Sequence, residues 1–173
     1  MSDRLLAAIR TVPDFPSPGI QFKDITPVLA DPTLLAEALD GLKAPFVGKG
    51  ITHVVGIEAR GFWFGMALAE RLGAGFVPAR KPGKLPAKTL RETYALEYGT
   101  DALELHADAL RPGDRALVHD DVIATGGTAA AVGRLVRATG AELAGYSFVV
   151  ELSFLTGRSN LPADVPVEAL LRL

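Results

Sequence analysis

The stretch Ala116-Leu117-Val118-His119-Asp120-Asp121-Val122-Ile123-Ala124-Thr125-Gly126-Gly127-Thr128 holds the densest chemistry in the chain. An apolar run ends in two adjacent carboxylates, and a small, glycine-rich loop then opens a helix. Such a loop turns several backbone N–H groups inward at the positive end of a helix dipole. The hydroxyls of Thr125 and Thr128 add donors, so Ala124, Thr125, Gly126, Gly127 and Thr128 make a cradle suited to a phosphate monoester. The spacing is not that of a Walker loop, and no lysine follows the second glycine. Two carboxylates beside a phosphate would repel it, so Asp120 and Asp121 need another purpose. They could accept hydrogen bonds from vicinal hydroxyls such as a ribose presents, stabilise positive charge on a sugar, or help hold Mg2+. An isolated Asp-Asp is by default a solvated turn, and the Ala-Thr-Gly-Gly-Thr beside it tips the reading to function.

Other candidates are weaker when taken one at a time. Lys81 and Lys84 sit in Arg80-Lys81-Pro82-Gly83-Lys84-Leu85-Pro86, a basic run broken by proline and glycine, where lysines are ordinarily surface charge. Glu97 in a hairpin is a solvated carboxylate by default. A lone phenylalanine such as Phe22 is core more often than a stacking platform, although Phe15-Pro16-Ser17-Pro18-Gly19 just before it cannot be regular structure. Phe62, Trp63 and Phe64, in the first turn of a helix, are expected to pack inward. His53, His106 and His119 share no metal-ligand spacing.

Apolar strand-like runs alternate with helix-period segments, which predicts a parallel α/β sheet flanked by helices. Ser2 can cap a short helix whose Leu5, Leu6 and Ile9 share a face. Asp31-Pro32 reads as a cap followed by proline at the first helical position, with Leu34, Leu35, Ala38, Leu39 and Leu42 as the apolar stripe. Strands are expected over 52–57, 76–79, 115–119, 144–150 and 167–171, and helices over 61–72, stopped by Gly73, and 128–139. The runs 93–98 and 102–106 flank Gly99-Thr100 as a hairpin. No linker or repeat divides the 173 residues, so one domain is expected, with about the first 30 residues forming a hood over the strand ends.

Composition narrows the classes. Zero cysteine excludes a disulfide framework, a cysteine nucleophile and thiolate metal sites. The formal net charge of −2 gives no bulk field to recruit nucleic acid, so any anion site must be local. The N-terminal residues lack a secretory apolar stretch, and no uncharged apolar run approaches the roughly 20 residues of a spanning helix. A cytoplasmic protein with no nucleic-acid partner and no membrane is expected.

Asp120 to Thr128 resembles the 5-phosphoribosyl-1-pyrophosphate (PRPP) binding motif of the type I phosphoribosyltransferases. Further segments, in that family's order, are similar to its adenine-using branch. They are Phe15-Pro16-Ser17-Pro18-Gly19-Ile20 with Phe22-Lys23-Asp24-Ile25-Thr26-Pro27, Glu58-Ala59-Arg60-Gly61-Phe62, the basic run from Arg80, and Tyr94-Ala95-Leu96-Glu97-Tyr98-Gly99. The resemblance implies a type I phosphoribosyltransferase fold, with a hood and a flexible loop, that joins adenine to PRPP to give AMP and pyrophosphate with Mg2+. By the same resemblance Asp120 and Asp121 hold the ribose hydroxyls and residues 124–128 the 5-phosphate. Glu58, Ala59, Arg60, Arg80, Lys81 and Lys84 surround pyrophosphate, with a strained non-proline peptide at Glu58-Ala59. Phe22 stacks on the purine while main-chain groups of Ile20, Gln21, Phe22 and Lys23 read its edge, and Glu97 manages the proton of the attacking base. Mg2+ is held mainly through PRPP and water, with Asp120 and Asp121 as the protein carboxylates at hand. Relatives are dimers, and Arg80 is the residue implied to reach a neighbouring subunit. Lys23 stands where relatives often have Arg, Ala59 where many have Ser, and His119 where an apolar residue is usual. Transfer to hypoxanthine, guanine or xanthine is one alternative. A PRPP-sensing regulator without turnover is another, and it lacks a DNA-binding module here.

Overall fold

The computed structural model describes residues 3–95 and 100–173. Helix α1 (Asp3–Ala8) leads into a hairpin of β1 (Arg10–Pro13) and β2 (Gln21–Asp24), in which Val12 stands opposite Phe22. The hairpin is tied by Arg10, whose Nε donates to Asp24 at 3.0 Å and whose hydrogen bonds hold that carboxyl down to about 2. Helix α2 (Thr26–Ala30) and helix α3 (Pro32–Lys43) follow. Asp31 caps α3 as its sequence suggests, accepting from the N–H groups of Thr33 at 2.8 Å and Leu34 at 3.1 Å. These satisfy donors that a helix start otherwise leaves orphaned.

The chain then lays down β3 (His53–Ile57), α4 (Gly61–Leu72), β4 (Gly75–Ala79), the antiparallel pair β5 (Thr89–Ala95) and β6 (Thr100–His106), and β7 (Arg115–Ile123). Helix α5 (Gly127–Ala138), β8 (Glu142–Glu151) and β9 (Val167–Arg172) complete it. Five strands form one parallel sheet in the order β4-β3-β7-β8-β9. Alternation along β7 shows why both faces are covered: Ala116 and Val118 pack with α5, Leu117 with α3 and α4. From β3 the chain steps outward to β4, and from β7 it steps the other way to β8 and β9. The order therefore reverses between β3 and β7, and the carboxyl ends of those two strands frame a crevice.

Several boundaries differ from the sequence reading. Leu5 is buried but Leu6 is exposed and Ile9 lies beyond α1, while Met1 and Ser2 fall outside the described residues. The hood contains two strands and α2 that its prolines concealed. Most consequential, β7 does not stop at His119 but runs through Asp120 and Asp121 to Ile123. It pairs with β3 only as far as His119 and with β8 to its end, so the two carboxylates lie where one neighbour has already turned away.

Candidate active site

The crevice is built from three turns. The first is the link from β7 to α5. Gly126 stands at the head of α5 with φ of +78°, a conformation L side chains rarely adopt. A Cβ there would lie 2.2 Å from the carbonyl oxygen of Gly157, so the loop is pressed against the turn after β8. Asn160 from that turn donates Nδ2 to the Thr125 carbonyl at 2.7 Å. A small cleft of about 80 Å3 lies between Asp120, Ala124, Thr125, Gly126 and Thr128. All members of the sequence-derived cradle except Gly127 line it, and Gly127 opens the helix behind.

The second turn joins β3 to α4 and carries Glu58, Ala59 and Arg60; its Glu58–Ala59 peptide is cis. The Arg60 Nε lies 3.0 Å from Asp121 Oδ2, and Asp121 is only 3% exposed. Burial raises both acidic groups. For Asp120 the charge of Asp121 adds to it, and for Asp121 the Arg60 guanidinium works against it. The Asp121 main-chain N–H donates to Asp120 Oδ1 at 2.9 Å, orienting the Asp120 carboxylate.

The third turn follows β4. Here Glu58 is the organiser: its carboxylate accepts from the Lys84 ammonium, the Lys81 N–H at 2.9 Å and Arg80 Nε at 3.3 Å. Burial alone would raise the Glu58 carboxyl. The bonds from Lys84 and Lys81 and the nearby Arg80 charge outweigh it and hold the group below its usual range. Lys81 Nζ pairs with Asp101 on β6 at 3.0 Å, and that bond raises the ammonium and lowers the carboxyl. The Glu58 side chain thus holds cations and would repel an anion, so it is not itself shaped to bind pyrophosphate.

Above the crevice the hood encloses a largely apolar cavity of about 380 Å3 lined by Val12, Phe15, Phe22, Ile25, Arg60 and Trp63. Phe15 meets Phe22 edge-on at 5.1 Å, and the Arg60 guanidinium stands 4.8 Å from the Phe22 centroid. Arg60 therefore touches both halves of the site. Because β2 pairs with β1 along one edge only, every second main-chain N–H and C=O of its four residues faces away from that partner. Ile20 and Gln21 are exposed, and the Lys23 ammonium bonds to Thr11 Oγ1 at 3.0 Å.

Trp63 corrects the expectation of three inward aromatics. Phe64 is fully buried and Phe62 packs edge-on to Phe76 at 5.8 Å, while Trp63 is 46% exposed and walls the hood cavity. Successive helical positions diverge by about 100°, so three consecutive aromatics cannot share a face; that signal was present in the sequence. Asp101, Gly157 and Asn160 had no signal, since only the fold brings them to the loops they hold. Glu97, with Leu96, Tyr98 and Gly99, lies outside the described residues. Among the described residues no group of three or more His, Cys, Asp and Glu is placed to cage a metal ion. No helix there is long and apolar enough to cross a membrane.

Comparison with known proteins converges on one family. Residues 29–159 match the phosphoribosyl transferase domain. The adenine phosphoribosyltransferase of Anaeromyxobacter dehalogenans (strain 2CP-C) is 60% identical over 161 residues, which is 93% of this chain and 94% of that one. The crystal structure of adenine phosphoribosyltransferase from Rhodothermus marinus DSM 4252 superposes with a TM-score of 0.96 at 61% identity, covering 99% of this chain and 97% of that one. The Saccharomyces cerevisiae enzyme, solved with D-2,5-dideoxy-2,5-imino-altritol 1,6-bisphosphate and adenine, superposes at 0.91 with 45% identity and covers 96% of each chain. Likeness of this degree over nearly the full length places the chain in the adenine phosphoribosyltransferase family.

Proposed function

We infer that this chain transfers the 5-phosphoribosyl group of PRPP to adenine, giving AMP and pyrophosphate, a reaction of purine salvage. The observation that carries the reading is the convergence, at the β3/β7 switch point, of a phosphate cradle, a half-buried and a buried carboxylate side by side, a bank of cations and an aromatic-walled cavity. In this reading residues 124–128 hold the 5-phosphate and Asp120 and Asp121 accept from the ribose hydroxyls. Arg60, Arg80, Lys81 and Lys84 meet pyrophosphate as it leaves, with the Ala59 main chain beside them. Charge on a leaving group is best met by cations placed before the bond breaks, and Glu58 and Asp101 keep these cations near the crevice meanwhile. Adenine enters the hood cavity against Phe22, and the free edge of Ile20 to Lys23 reads its polar rim. Glu97 takes the proton displaced when the base attacks C1′.

The donor set suits Mg2+ carried by the substrate rather than caged by the protein. Asp121 Oδ2 is buried beside the Arg60 guanidinium, and the described residues offer no third carboxylate. When bound with PRPP the ion would offset pyrophosphate charge, and Asp120 and Asp121 are the groups to approach it. We read the whole chain as one catalytic domain, residues 1–30 being its hood, working as a cytoplasmic homodimer in which Arg80 faces the neighbouring subunit.

Turnover of adenine, hypoxanthine, guanine and xanthine with PRPP and Mg2+ tests the assignment. Adenine should lead the others in kcat/KM by about 10²-fold or more, as expected where an unmatched base leaves buried polar groups unpaired. Faster turnover of an oxopurine overturns the base assignment. Tight PRPP binding without turnover of any base would mark a sensor instead of an enzyme.

A further inference from the structure

Four buried side-chain polar atoms among the described residues have no hydrogen-bond partner: on His106, His119, Asp121 and Tyr146. Asp121 belongs to the crevice. The Tyr146 hydroxyl lies elsewhere, beneath α5, and it is the one beside a cavity walled by cations. Tyr146 is fully buried, its ring nearly parallel to that of Phe148. Its oxygen ends against Gly133, where a Cβ would stand 2.0 Å away, so glycine at this turn of α5 is what lets the phenol through the helix layer. Gly133, Arg134, Arg137, Tyr146 and Asn160 line the cavity of about 300 Å3 that opens there. Arg137 follows Gly133 by four positions and Arg134 by three, so it neighbours each of them along the helix.

The lining is rich in donors and poor in acceptors. Burial pushes the phenol up to about 12, so it remains a donor at any physiological pH. Arg134 pairs with Glu92, and Arg137 reaches Asp164 only at 3.5 Å, with every partner partly or largely exposed. Pairs this exposed hold weakly, so the guanidiniums can exchange them for an anion that also satisfies the phenol. A buried hydroxyl lacking an acceptor, flanked by two guanidiniums, calls for an oxyanion with several oxygens.

We propose that this cavity is a second anion site, on the far side of the phosphate loop from the crevice, that takes a small phosphate monoester. Asn160 forms one wall while its Nδ2 holds the Thr125 carbonyl, and Gly157 in the same turn abuts Gly126. Occupancy here therefore bears on the loop assigned to the 5-phosphate.

Amide NMR of the full-length protein saturated with AMP, titrated separately with glycerol 3-phosphate, inorganic phosphate and acetate, tests this. Glycerol 3-phosphate should give saturable shifts at Gly133, Tyr146 and Asn160, at least about tenfold tighter than acetate, as dianionic oxygens on forked donors predict. Comparable affinity for inorganic phosphate would identify the phosphoryl group alone as the ligand. Arg134→Met with Arg137→Met should weaken binding by about tenfold or more, and Tyr146→Phe by about three- to tenfold without lowering Tm. Because AMP keeps the crevice filled throughout and Arg134 and Arg137 lie outside the three turns that build it, the result is separable from whether the crevice performs transfer. Absence of saturable shifts, equal affinity for acetate, or shifts that survive the double arginine variant would each show a hydrated cavity only and overturn the proposal.

Discussion

Replacing both Asp120 and Asp121 by Asn should drive activity and stability in opposite directions. Burial raises both carboxyls in the folded protein; the charge of Asp121 adds to it at Asp120, and the Arg60 guanidinium opposes it at Asp121. A carboxyl raised on folding contributes stability below its unfolded value near 4, and that contribution is lost as the pH climbs through the folded value. At pH 7 the charged pair is therefore a net cost to the fold, of about 1.4 kcal/mol for each unit of elevation. Asn keeps the shape and the Oδ1 acceptor for the Asp121 N–H while removing the charge. The ion pair to Arg60 is lost, but that guanidinium is 36% exposed and returns to water rather than being left buried and unpaired. The double variant should therefore melt higher at pH 7, by about 2–4 °C for each kcal/mol relieved in a chain of this size, and the gain should fade near pH 4. Catalysis should collapse meanwhile. Two charge-assisted bonds to hydroxyls, at about 1.5–3 kcal/mol each, amount to a 10²–10⁴-fold loss in kcat/KM, on the order of one decade per 1.4 kcal/mol. Calorimetric melts at pH 7 and pH 4, beside steady-state kinetics, read both effects. A variant that melts lower at pH 7, or keeps kcat/KM within about tenfold, refutes the reasoning.

Gly126→Ala puts a Cβ 2.2 Å from the Gly157 carbonyl in a left-handed conformation that itself costs about 1–2 kcal/mol, so calorimetry should show PRPP and AMP affinity falling together; unchanged affinity for both would remove the loop from phosphate binding. His119 is buried and held neutral, its value lowered by burial to about 3. The unfolded chain takes up the proton first as pH falls below about 6.5, so between pH 7.5 and 5 the protein should lose about 2 kcal/mol that His119→Leu does not lose. Denaturant melts at the two pH values compare the slopes, and equal slopes would show that His119 is hydrated. Glu97→Gln should lower kcat and kcat/KM for adenine together by about 10²-fold and leave PRPP binding intact; a change in KM alone would make Glu97 a grip on the base.

The parallel sheet and its helices were legible because β3, β7 and β8 are short apolar runs, and Asp31-Pro32 carries its own start signal. The end of β7 was not. Asp120 and Asp121 look like a turn because strands seldom carry adjacent carboxylates, yet β8 supplies ladder partners on one side through Ile123. The two hood strands carry no signal for a related reason: Phe15 to Gly19 is irregular as its prolines require, and it hides the fact that Arg10 to Pro13 and Gln21 to Asp24 pair across it. The cradle was legible as composition, whereas its bracing by Gly157 and Asn160 depends on a contact across some 30 residues. The basic loop was legible as charge, but its carboxylate partners were not. Glu58 was assigned to the anion along with its neighbours, and only the geometry shows it gripping Lys84 and Arg80.

That pairing has a bearing on which solutes the empty crevice admits. Arg60, Arg80, Lys81 and Lys84 each already face a carboxylate, on Asp121, Glu58, Asp101 and Glu58 respectively. A chloride or a single phosphate arriving there would have to break such a couple and would leave a carboxylate stranded beside it. A pyrophosphoryl ester that also fills the 5-phosphate cradle engages several couples in one event, and its later contacts form without a further loss of translational freedom. The free protein thereby discriminates by the number of anionic groups carried on one molecule rather than by total anion concentration. Common cellular salts should compete poorly for the crevice even though it holds four cations.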